Sequence, residues 1–373
     1  MKIAILGHGV VGRGVDEIIS SRNLGLEVKR ILELPDRLSD PRMTSNFDDI
    51  LCDAEIEAVV ECMGGLEPAH TYISSLLSAG KSVVTSNKAV VAAYFEEFAR
   101  YAASSGASLL IEATCGGGIP WIAGLEKARR IDEINSFSGI LNGTTNYILD
   151  TMAKTGARFE DALATAQELG YAERDPTDDL EGYDVRNKTI ISASVAFGCA
   201  CVRDLPTTGV ANYTKADAEL FASKGCVVKL LARGVRKDDR YAVVVEPVAL
   251  PKDSVEANIP ANYNIVSLTG DTIGELKFYG QGAGSLPTGN AMVQDLLDLA
   301  AGRRTSYDFA GEVTYDPTLL VSDYVIRTDE QPRGTTAFAD GVWVLGHVTA
   351  VEAREFYENV LATDPKALLV RLA

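Results

Sequence analysis

The stretch KIAILGHGVVG, residues 2–12, places a short apolar run directly before three glycines in the spacing G-x-G-x-x-G. Apolar residues then recur at helical spacing as far as about residue 21, so the pattern predicts a strand, a tight turn and a helix. In such a unit the first glycine permits the turn, the second lets the backbone approach a pyrophosphate, and the third lets helix and strand pack closely. Amide groups at the helix start then bind the phosphates. The predicted dinucleotide contacts are Gly7, Gly9, Val10, Val11 and Gly12.

Further apolar runs alternate with helical patterns in the first third of the chain, at 27–34, 58–63, 82–86 and 108–114. Strands and helices that alternate in this way predict a parallel sheet with helices on both faces. In open parallel sheets the ligand lies beyond the carboxyl ends of the strands, so we expect the small and polar residues there to line one crevice. Those predicted to contact the cofactor are Gly64, Ser86, Asn87 and Lys88.

The type of dinucleotide depends on Glu33, which ends the second predicted strand about twenty residues past the glycine loop. A carboxylate at this position can accept hydrogen bonds from the ribose hydroxyls, and it would repel the 2'-phosphate of NADP. Glu33 therefore favours NAD. The nearby cations Arg30, Arg37 and Arg42 keep the opposite preference open.

An acidic stretch, GYAERDPTDDLEGYDVRNK at 170–188, is the most informative part of the middle of the chain. Its glycine and its last glutamate are misplaced for a calcium-binding EF-hand loop. A solvated acidic loop is the ordinary interpretation of such a run. The helix predicted next, at about 183–197, favours a functional interpretation instead.

On this helix Asp184 and Lys188 form an i,i+4 pair, and Ile191 and Val195 continue the same face. A surface ion pair would lie on a polar face, so this arrangement predicts that Lys188 points into a partly buried cleft. A lysine in such a place can transfer protons. The nearby carboxylates predicted to bind a substrate ammonium group are Glu173 and Asp179.

Composition excludes several other classes of function. The net charge of −17, with no run rich in Lys or Arg, argues against nucleic acid as a partner. The longest weakly apolar run, 190–202, is too short to cross a bilayer. Six scattered cysteines indicate reduced thiols, not a zinc site, and predict a soluble cytoplasmic protein. With three histidines in the whole chain, Lys, Asp, Glu or Tyr are expected to move any protons.

From the glycine loop to about residue 299 the chain resembles homoserine dehydrogenase. Besides GHGVVG, the resemblance rests on several ordered blocks, of which the one ending at Lys188 is the longest. These blocks are TSNKAVVA at 85–92, EATCGGGIP at 112–120, SGILNGTTNYIL at 138–149, AQELGYAERDPTDDLEGYDVRNK at 166–188 and GQGAGSLPTGNAMVQDL at 280–296. The resemblance implies interconversion of L-homoserine and L-aspartate 4-semialdehyde with NAD or NADP, on the route to threonine, methionine and isoleucine.

The resemblance also implies roles for individual residues. Lys188 is implied to donate and accept the proton of the substrate hydroxyl, and Lys88 to lie close to nicotinamide and substrate. Gly170 and Gly284 match loops that close over the cofactor. The implied substrate contacts are Glu173, Asp184, Asp179, Tyr171, Gly143 and Thr144.

A monovalent cation, usually sodium, is implied by the same resemblance. It would be held by backbone oxygens of Glu112, Cys115, Gly117 and Ile119. The family also implies a homodimer that pairs through its middle domain. We expect the cation to be structural.

The predicted fold class is α/β, with a Rossmann dinucleotide-binding domain, an α+β catalytic and dimerisation domain, and a small ACT-like or degenerate α+β tail. The predicted limits are 1–133 with a returning helix at about 285–302, then 134–284, then 305–373. The tail is predicted to contain strands at 322–328, 341–347 and 368–371 and a helix at about 349–361. The segment 335–340 is too short and polar for the first helix of an ACT domain, so a dimer-stabilising appendage is at least as well supported as an effector sensor.

Two alternatives remain at this point. One is another Rossmann dehydrogenase, such as one that acts on aspartate semialdehyde through a nucleophilic cysteine with a histidine partner. Cys115 fits that role poorly because no histidine is near it in sequence. The other is a catalytically silent dinucleotide-binding regulator, which the presence of Asp184, Lys188, Glu173 and Lys88 disfavours.

Overall fold

The computed structural model describes residues 1–309, 311 and 313–373. Ala310 and Glu312 fall in the predicted C-terminal module and lie outside the described residues. The chain divides into two compact units, which are described separately. Unit 1 comprises Met1–Lys127, Gly198–Ala200 and Gln281–Gly311, and unit 2 comprises Ala128–Phe197, Cys201–Gly280 and Glu312–Ala373.

The described strands and α-helices follow one another in chain order. The strands are β1 (Lys2–Leu6), β2 (Glu27–Leu32), β3 (Met43–Thr44), β4 (Ala58–Glu61), β5 (Ser82–Thr85), β6 (Leu109–Leu110), β7 (Ile134–Ile140), β8 (Cys226–Lys237), β9 (Arg240–Pro251), β10 (Tyr263–Gly270), β11 (Gly274–Gln281), β12 (Thr314–Tyr315), β13 (Val321–Arg327), β14 (Thr336–Ala339), β15 (Val342–Thr349) and β16 (Leu368–Leu372). The helices are α1 (Val10–Ser21), α2 (Asp48–Leu51), α3 (Ala69–Ser78), α4 (Lys88–Ser105), α5 (Trp121–Ala128), α6 (Gly143–Thr155), α7 (Phe159–Glu168), α8 (Thr177–Leu180), α9 (Tyr183–Phe197), α10 (Lys215–Ser223), α11 (Ser285–Ala300) and α12 (Ala350–Leu361). Within the described part of the chain, none of these helices combines the length and the hydrophobicity needed to cross a membrane.

Unit 1 is built on a six-stranded parallel sheet in the order β3-β2-β1-β4-β5-β6. Its central strands are buried on both faces, which explains their continuous apolar sequences. The strand order reverses between β1 and β4, and in open sheets of this kind the ligand binds at such a reversal. This topology confirms the predicted dinucleotide-binding fold.

Helix α11 returns to unit 1 and packs on α1 over β1. The core there contains Val15 and Ile19 of α1 together with Met292 and Leu296 of α11. The two helices approach closely because Gly14 faces α11: a Cβ on Gly14 would lie 2.5 Å from the carbonyl oxygen of Ser285. The sequence predicted this returning helix, and the glycine explains how near it comes.

Unit 2 contains a ten-stranded sheet whose main path runs β11-β10-β7-β8-β9-β16-β13-β15-β14. Helix α9 packs on β8 and β9 of this sheet. The tail continues the same sheet, because β16 pairs in parallel with β9 through Arg371 and Leu372. Within the tail the order β16-β13-β15-β14 is that of a ferredoxin-like module in which a loop replaces the first helix. This strand order supports a reduced ACT-like tail, which stays a prediction.

Two predicted elements differ from the structure. The strand expected at 108–114 is only two residues long, because Glu112 begins a 3-10 turn and its carboxylate accepts hydrogen bonds from Ile122 N at 3.0 Å and Ala123 N at 2.7 Å. The sequence after the 134–141 apolar run also predicts a helix from about residue 147, but this helix, α6, begins at Gly143, because the side chain of Asn142 caps it. In both places a polar side chain that binds backbone amides moves the boundary.

Candidate active site

The glycine loop of unit 1 has the geometry that its sequence predicts. Gly7 has a φ of +87°, and its amide donates to Leu32 O at 3.0 Å. A Cβ on Gly12 would lie 2.1 Å from Gly7 O, so only glycine fits where helix and strand meet. A Cβ on Gly9 would meet nothing within 4 Å. That open space beside the N-terminus of α1 suits a pyrophosphate, so the residues present fit a dinucleotide.

Glu33 lies directly after β2, next to this loop. One carboxylate oxygen accepts the amide of His8 at 3.4 Å, and the other accepts that of Leu34 at 2.8 Å. The side chain is half-buried. Glu33 is thereby positioned at the edge of the glycine loop, where the adenosine ribose lies in folds of this type.

A fully buried carboxylate, Glu61, joins the ends of β4 and β5. Its oxygens accept Met63 N at 2.8 Å and Thr85 Oγ1 at 2.6 Å. Burial raises the pKa of Glu61, and the hydrogen bonds from Thr85 and Met63 oppose that rise. The amide of Ser86 donates to the backbone carbonyl of Glu61 at 3.3 Å, so this carboxylate and its backbone hold both loops.

Asn87 extends the network to the start of α4. Its amide donates to Thr85 Oγ1 at 2.9 Å, its side chain donates to Gly65 O at 2.7 Å, and its Oδ1 accepts from Val90 N at 3.3 Å. Asn87 is therefore the N-cap of α4, and half-buried Lys88 is the first residue of that helix. Gly64, with a φ of +76°, leaves open space where a Cβ would stand. The predicted contacts Gly64, Ser86, Asn87 and Lys88 thus share one supported edge of the sheet.

Lys188 of unit 2 is buried and held at two points. Its Nζ donates to Asp184 Oδ2 at 2.7 Å and to Leu141 O at 2.7 Å. Only 8% of the residue is exposed, although a lysine ordinarily keeps its ammonium in water. The ion pair with Asp184, which is 6% exposed, compensates the buried charge.

Asn142 connects this ion pair to a second carboxylate. Its Nδ2 donates to Asp179 Oδ1 at 2.6 Å and to Asp184 Oδ2 at 2.9 Å, while its Oδ1 accepts from Thr145 N at 2.8 Å. Burial raises the pKa of Asp179, and the neighbouring charge of Asp184 raises it further. A positive group placed beside the two carboxylates would relieve this repulsion.

The other predicted substrate contacts lie around the same helix start. Thr144 Oγ1 donates to Tyr171 O at 2.6 Å, which ties α6 to the segment after α7. A Cβ on Gly143 would lie 2.7 Å from Asn262 O. Gly170, with a φ of +74°, leaves open space around itself. Glu173 is exposed and, among the described residues, is not part of the Asn142 hydrogen-bond network.

The four predicted cation ligands lie on one tight turn between β6 and α5. Gly116 and Gly117 have φ values of +81° and +58°. Glu112 O accepts the amide of Cys115 at 3.4 Å, and Ile119 O accepts that of Trp121 at 2.7 Å. Because each carbonyl oxygen carries two lone pairs, these bonds leave room for a cation. Among the described residues, no group of three or more His, Cys, Asp or Glu side chains could hold a metal ion.

Comparisons with known proteins agree along the chain. The family model for the homoserine dehydrogenase NAD-binding domain matches residues 7–112, and the homoserine dehydrogenase model matches residues 120–297. The homoserine dehydrogenase of Synechocystis sp. is 40% identical over 325 residues, which cover 83% of this chain and 75% of that protein. The chain belongs to the homoserine dehydrogenase family.

Other members of the homoserine dehydrogenase family give the same result. The Corynebacterium glutamicum enzyme is 36% identical over 343 residues, covering 86% of this chain and 76% of that one. The crystal structure of a homoserine dehydrogenase from Thiobacillus denitrificans superposes with a TM-score of 0.88 at 30% identity and covers 100% of this chain and 98% of its own. The chain is therefore an NAD(P)-dependent oxidoreductase, and the alternative of a silent regulator is not supported.

Two buried residues of this homoserine dehydrogenase site were not predicted from the sequence. Asn142 lies in the SGILNGTTNYIL block and Glu61 in the apolar run 58–63, and the sequence assigned neither of them a role. A possible signal for each was a polar residue at the carboxyl end of an apolar strand, followed at once by a glycine or by a helix start. That signal does not say which neighbouring side chains the residue will reach.

Proposed function

We propose that this chain catalyses the reversible NAD(P)-dependent oxidation of L-homoserine to L-aspartate 4-semialdehyde, with Lys188 as the proton acceptor and donor. The observation that carries this assignment is the buried Nζ of Lys188, 2.7 Å from both Asp184 and Leu141 O. These two bonds fix the amine in position. A fixed, buried amine next to a carboxylate suits proton transfer to and from an alcohol.

In the oxidation the hydroxyl proton of homoserine passes to the amine form of Lys188 as the C–H bond at the same carbon breaks. The C–O bond becomes a carbonyl, and Lys188 becomes an ammonium beside Asp184. When bound, the nicotinamide accepts the hydride in this direction and supplies it in the other. In the reduction the Lys188 ammonium returns its proton to the alkoxide oxygen. Asp184 stabilises the charged form of Lys188 in both directions.

The substrate ammonium group is assigned to the carboxylates of Asp179, Asp184 and Glu173. The repulsion between Asp179 and Asp184 supports this assignment, because a cation near the two carboxylates would reduce the electrostatic repulsion between them. Gly143, Thr144 and Tyr171 are assigned to the wall of the same pocket. Lys88, at the start of α4, is assigned to the substrate and nicotinamide.

The proposed cofactor contacts come from the glycine loop, from the strand ends, and from the two glycines that match the family's loops closing over the cofactor. They are Gly7, Gly9, Val10, Val11, Gly12, Glu33, Gly64, Ser86, Asn87, Lys88, Gly170 and Gly284. We further assign a structural monovalent cation, taken as sodium, to the backbone oxygens of Glu112, Cys115, Gly117 and Ile119. A homodimer and a cytoplasmic location complete the proposal.

The test is Lys188→Ala, measured as nicotinamide reduction with L-homoserine and each cofactor. We expect turnover to fall by about 10² to 10⁴, the ordinary loss for a general acid–base group. The dissociation constant of the reduced cofactor, measured by its fluorescence, should stay nearly unchanged because Lys188 lies outside the glycine loop.

The matched control is Lys215→Ala, which removes a lysine whose side chain is 48% exposed on α10. It should keep normal turnover. Near-normal turnover in Lys188→Ala would refute the assigned role. Absence of any homoserine-dependent signal in the unaltered chain, with either cofactor, would refute the proposed reaction.

A further inference from the structure

The sequence left the choice between NAD and NADP open, because three arginines, Arg30, Arg37 and Arg42, lie near Glu33 in sequence. The structure shows what one of them contacts. The guanidinium of Arg42 binds two carboxylates. It donates to Asp40 from Nε at 3.0 Å and from Nη2 at 2.8 Å. It donates to Asp16 from Nη1 at 2.8 Å and from Nη2 at 2.9 Å. All three nitrogens of the guanidinium are thus engaged.

These contacts are strong. The pKa of Asp40 falls to about 2 because Arg42 donates to it. Burial is the largest single influence on the pKa of Asp16 and raises it, but the hydrogen bonds and charges of Arg42 and His8 together lower the pKa. Two-pronged pairing of this kind is the strongest ordinary hydrogen bonding of an arginine. These bonds use four of the five guanidinium N–H donors, so another anion would meet a single N–H, on Nη1, unless it displaced one of the carboxylates.

The Asp16–Asp40–Arg42 cluster is attached to the glycine loop. His8 lies inside that loop, and its Nε2 is 3.2 Å from Asp16 Oδ2. The amide of the same His8 donates to Glu33. Glu33 and the cluster therefore contact one residue of the loop, at the place where the adenosine ribose lies in such folds.

The charges at this place oppose a phosphate. Glu33, Asp16 and Asp40 contribute three formal negative charges and Arg42 one positive charge, which leaves two negative charges before His8 is counted. A 2'-phosphate brings about −1.5 to −2 more. Of the other two arginines close to Glu33 in sequence, Arg37 is exposed in the turn after it, and Arg30 donates to Lys29 O at 3.4 Å.

We infer that this chain selects NAD over NADP. Glu33 occupies the position that a 2'-phosphate would take, and the ion pairs of Arg42 with Asp16 and Asp40 keep Arg42 from binding that phosphate. The inference rests on the proposed reaction for its substrate but concerns only the dinucleotide. It assigns Asp16, Asp40 and Arg42 to cofactor specificity, a role that the glycine motif does not indicate.

The first experiment compares kcat/KM for NAD and NADP at saturating L-homoserine in the unaltered chain. We expect NAD to be favoured at least about tenfold, since like charges meet near a partly buried site. Equal use of both cofactors, or a preference for NADP, would overturn the inference and would point to Arg37 as the phosphate contact.

The second experiment removes the negative charges of Glu33 and Asp40 with the double variant Glu33→Gln/Asp40→Asn, which leaves Arg42 bound to Asp16 alone of its two carboxylate partners. The ratio of NADP use to NAD use should rise at least about tenfold, and adding Arg42→Ala should cancel that gain. An unchanged ratio in the double variant would overturn the inference, and so would a gain that survives the loss of Arg42. Should the double variant fail to fold, the single variant Glu33→Gln serves instead, because it is a conservative change of a half-buried residue. It must reduce the preference for NAD over NADP.

The matched control is Glu27→Gln/Asp48→Asn, which removes two charges from exposed positions on the same unit and should leave the ratio unchanged. Dissociation constants for NADH and NADPH, read by fluorescence, separate the two proposals. A chain that binds NADH more tightly than NADPH but does not turn over homoserine would refute the reaction and support the inference.

Discussion

Asn142 shows how one residue can serve the fold and the chemistry together. Its side-chain oxygen caps α6, and its side-chain amide bridges Asp179 and Asp184. Because the amide faces two carboxylates, it reduces their repulsion and fixes the oxygen of Asp184 that binds Lys188. The position of the Lys188 amine thus depends on the uncharged side chain of Asn142.

The first residue-scale prediction concerns Asn142→Ser. Serine is also a favoured N-cap, so the helix should keep its start, but the amide that donates to both carboxylates is lost. We expect kcat/KM for homoserine to fall by about 10- to 100-fold, which corresponds to the loss of a hydrogen bond to a charged group. Steady-state kinetics measure the loss.

Asn142→Ala provides the comparison. It removes the amide and the cap together, so it should lower kcat/KM by a similar factor and cost about 1 kcal/mol more in the free energy of unfolding than the serine variant. Full activity in the serine variant together with a loss in the alanine variant would show that only the helix cap matters.

At the scale of elements, Lys229 joins β8, α6 and the segment before β10. It is fully buried, and its Nζ donates to Asn146 Oδ1 at 2.8 Å and to Ile259 O at 2.9 Å. Asn146 itself donates to Ala261 O at 2.8 Å. These bonds hold the 259–263 segment against α6, where the carbonyl of Asn262 comes close to Gly143.

This buried lysine predicts a pH dependence of stability. Burial lowers the pKa of Lys229 from 10.5 to about 8. Between pH 8 and 10.5 the unfolded chain holds the proton that the folded chain has released, so stability should rise with pH in that window, by up to about 3 kcal/mol. Below pH 8 both states are protonated and the contribution is constant.

The measurement is the free energy of unfolding in urea at pH 7.5, 9 and 10.5, for the unaltered chain and for Lys229→Met. The difference between the two should grow with pH, because the other titrating groups cancel. Lys215→Met, which removes an exposed lysine, should run parallel to the unaltered chain. A constant difference between Lys229→Met and the unaltered chain would contradict the prediction.

The sequence predicted those elements that follow from a local pattern, and it did not predict the long strands β8–β11 of unit 2. The strand–glycine–helix unit, the helix from Tyr183 to Phe197 and the tail strands all have periodicities that identify them. Local patterns do not specify contacts distant in sequence. Glu61 reaches Thr85 across 24 residues and Asn142 reaches Asp184 across 42, so neither partner could be named in advance.

In the candidate active site, too, the sequence showed local contacts but not contacts between residues distant in sequence. The pairing of Asp184 with Lys188 is a helical i,i+4 relation, which a sequence shows directly. The capture of Arg42 by Asp16 is not local, because the two residues are 26 positions apart on different elements. Its consequence for cofactor choice could be drawn only from the folded chain.

At the scale of the molecule, the tail is continuous with the catalytic sheet of unit 2. Besides the pairing of β16 with β9, a buried ion pair joins them: Arg371 Nε lies 2.8 Å from Glu246 Oε1. Tyr324 of β13 donates to the other oxygen of Glu246 at 3.0 Å. Burial raises the pKa of Glu246, and Arg371 opposes that rise. The tail therefore supplies two of the groups that interact with a carboxylate of β9, and Arg233 of β8 is another.

This arrangement predicts that the tail and the catalytic sheet unfold as one. Arg371→Met removes the cation that lies 2.8 Å from the buried Glu246 carboxylate and leaves the charge of Arg233 of β8 as a partial compensation; breaking a buried pair ordinarily costs about 3–5 kcal/mol. If the sheet unfolds as one cooperative unit, hydrogen exchange in β8 and β9 should accelerate by about a hundredfold to a few thousandfold together with that in β13 and β16, while β1 and β4 of unit 1 keep their protection. Adding Glu246→Gln should recover much of the loss, because the amide needs no cation and still accepts from Tyr324.

Arg333→Met, which removes an exposed tail arginine, is the control and should leave these exchange rates unchanged. Faster exchange confined to β13–β16 would mean that the tail unfolds alone, as an appended sensor domain would, and that its strand pairing with β9 contributes little to the catalytic sheet.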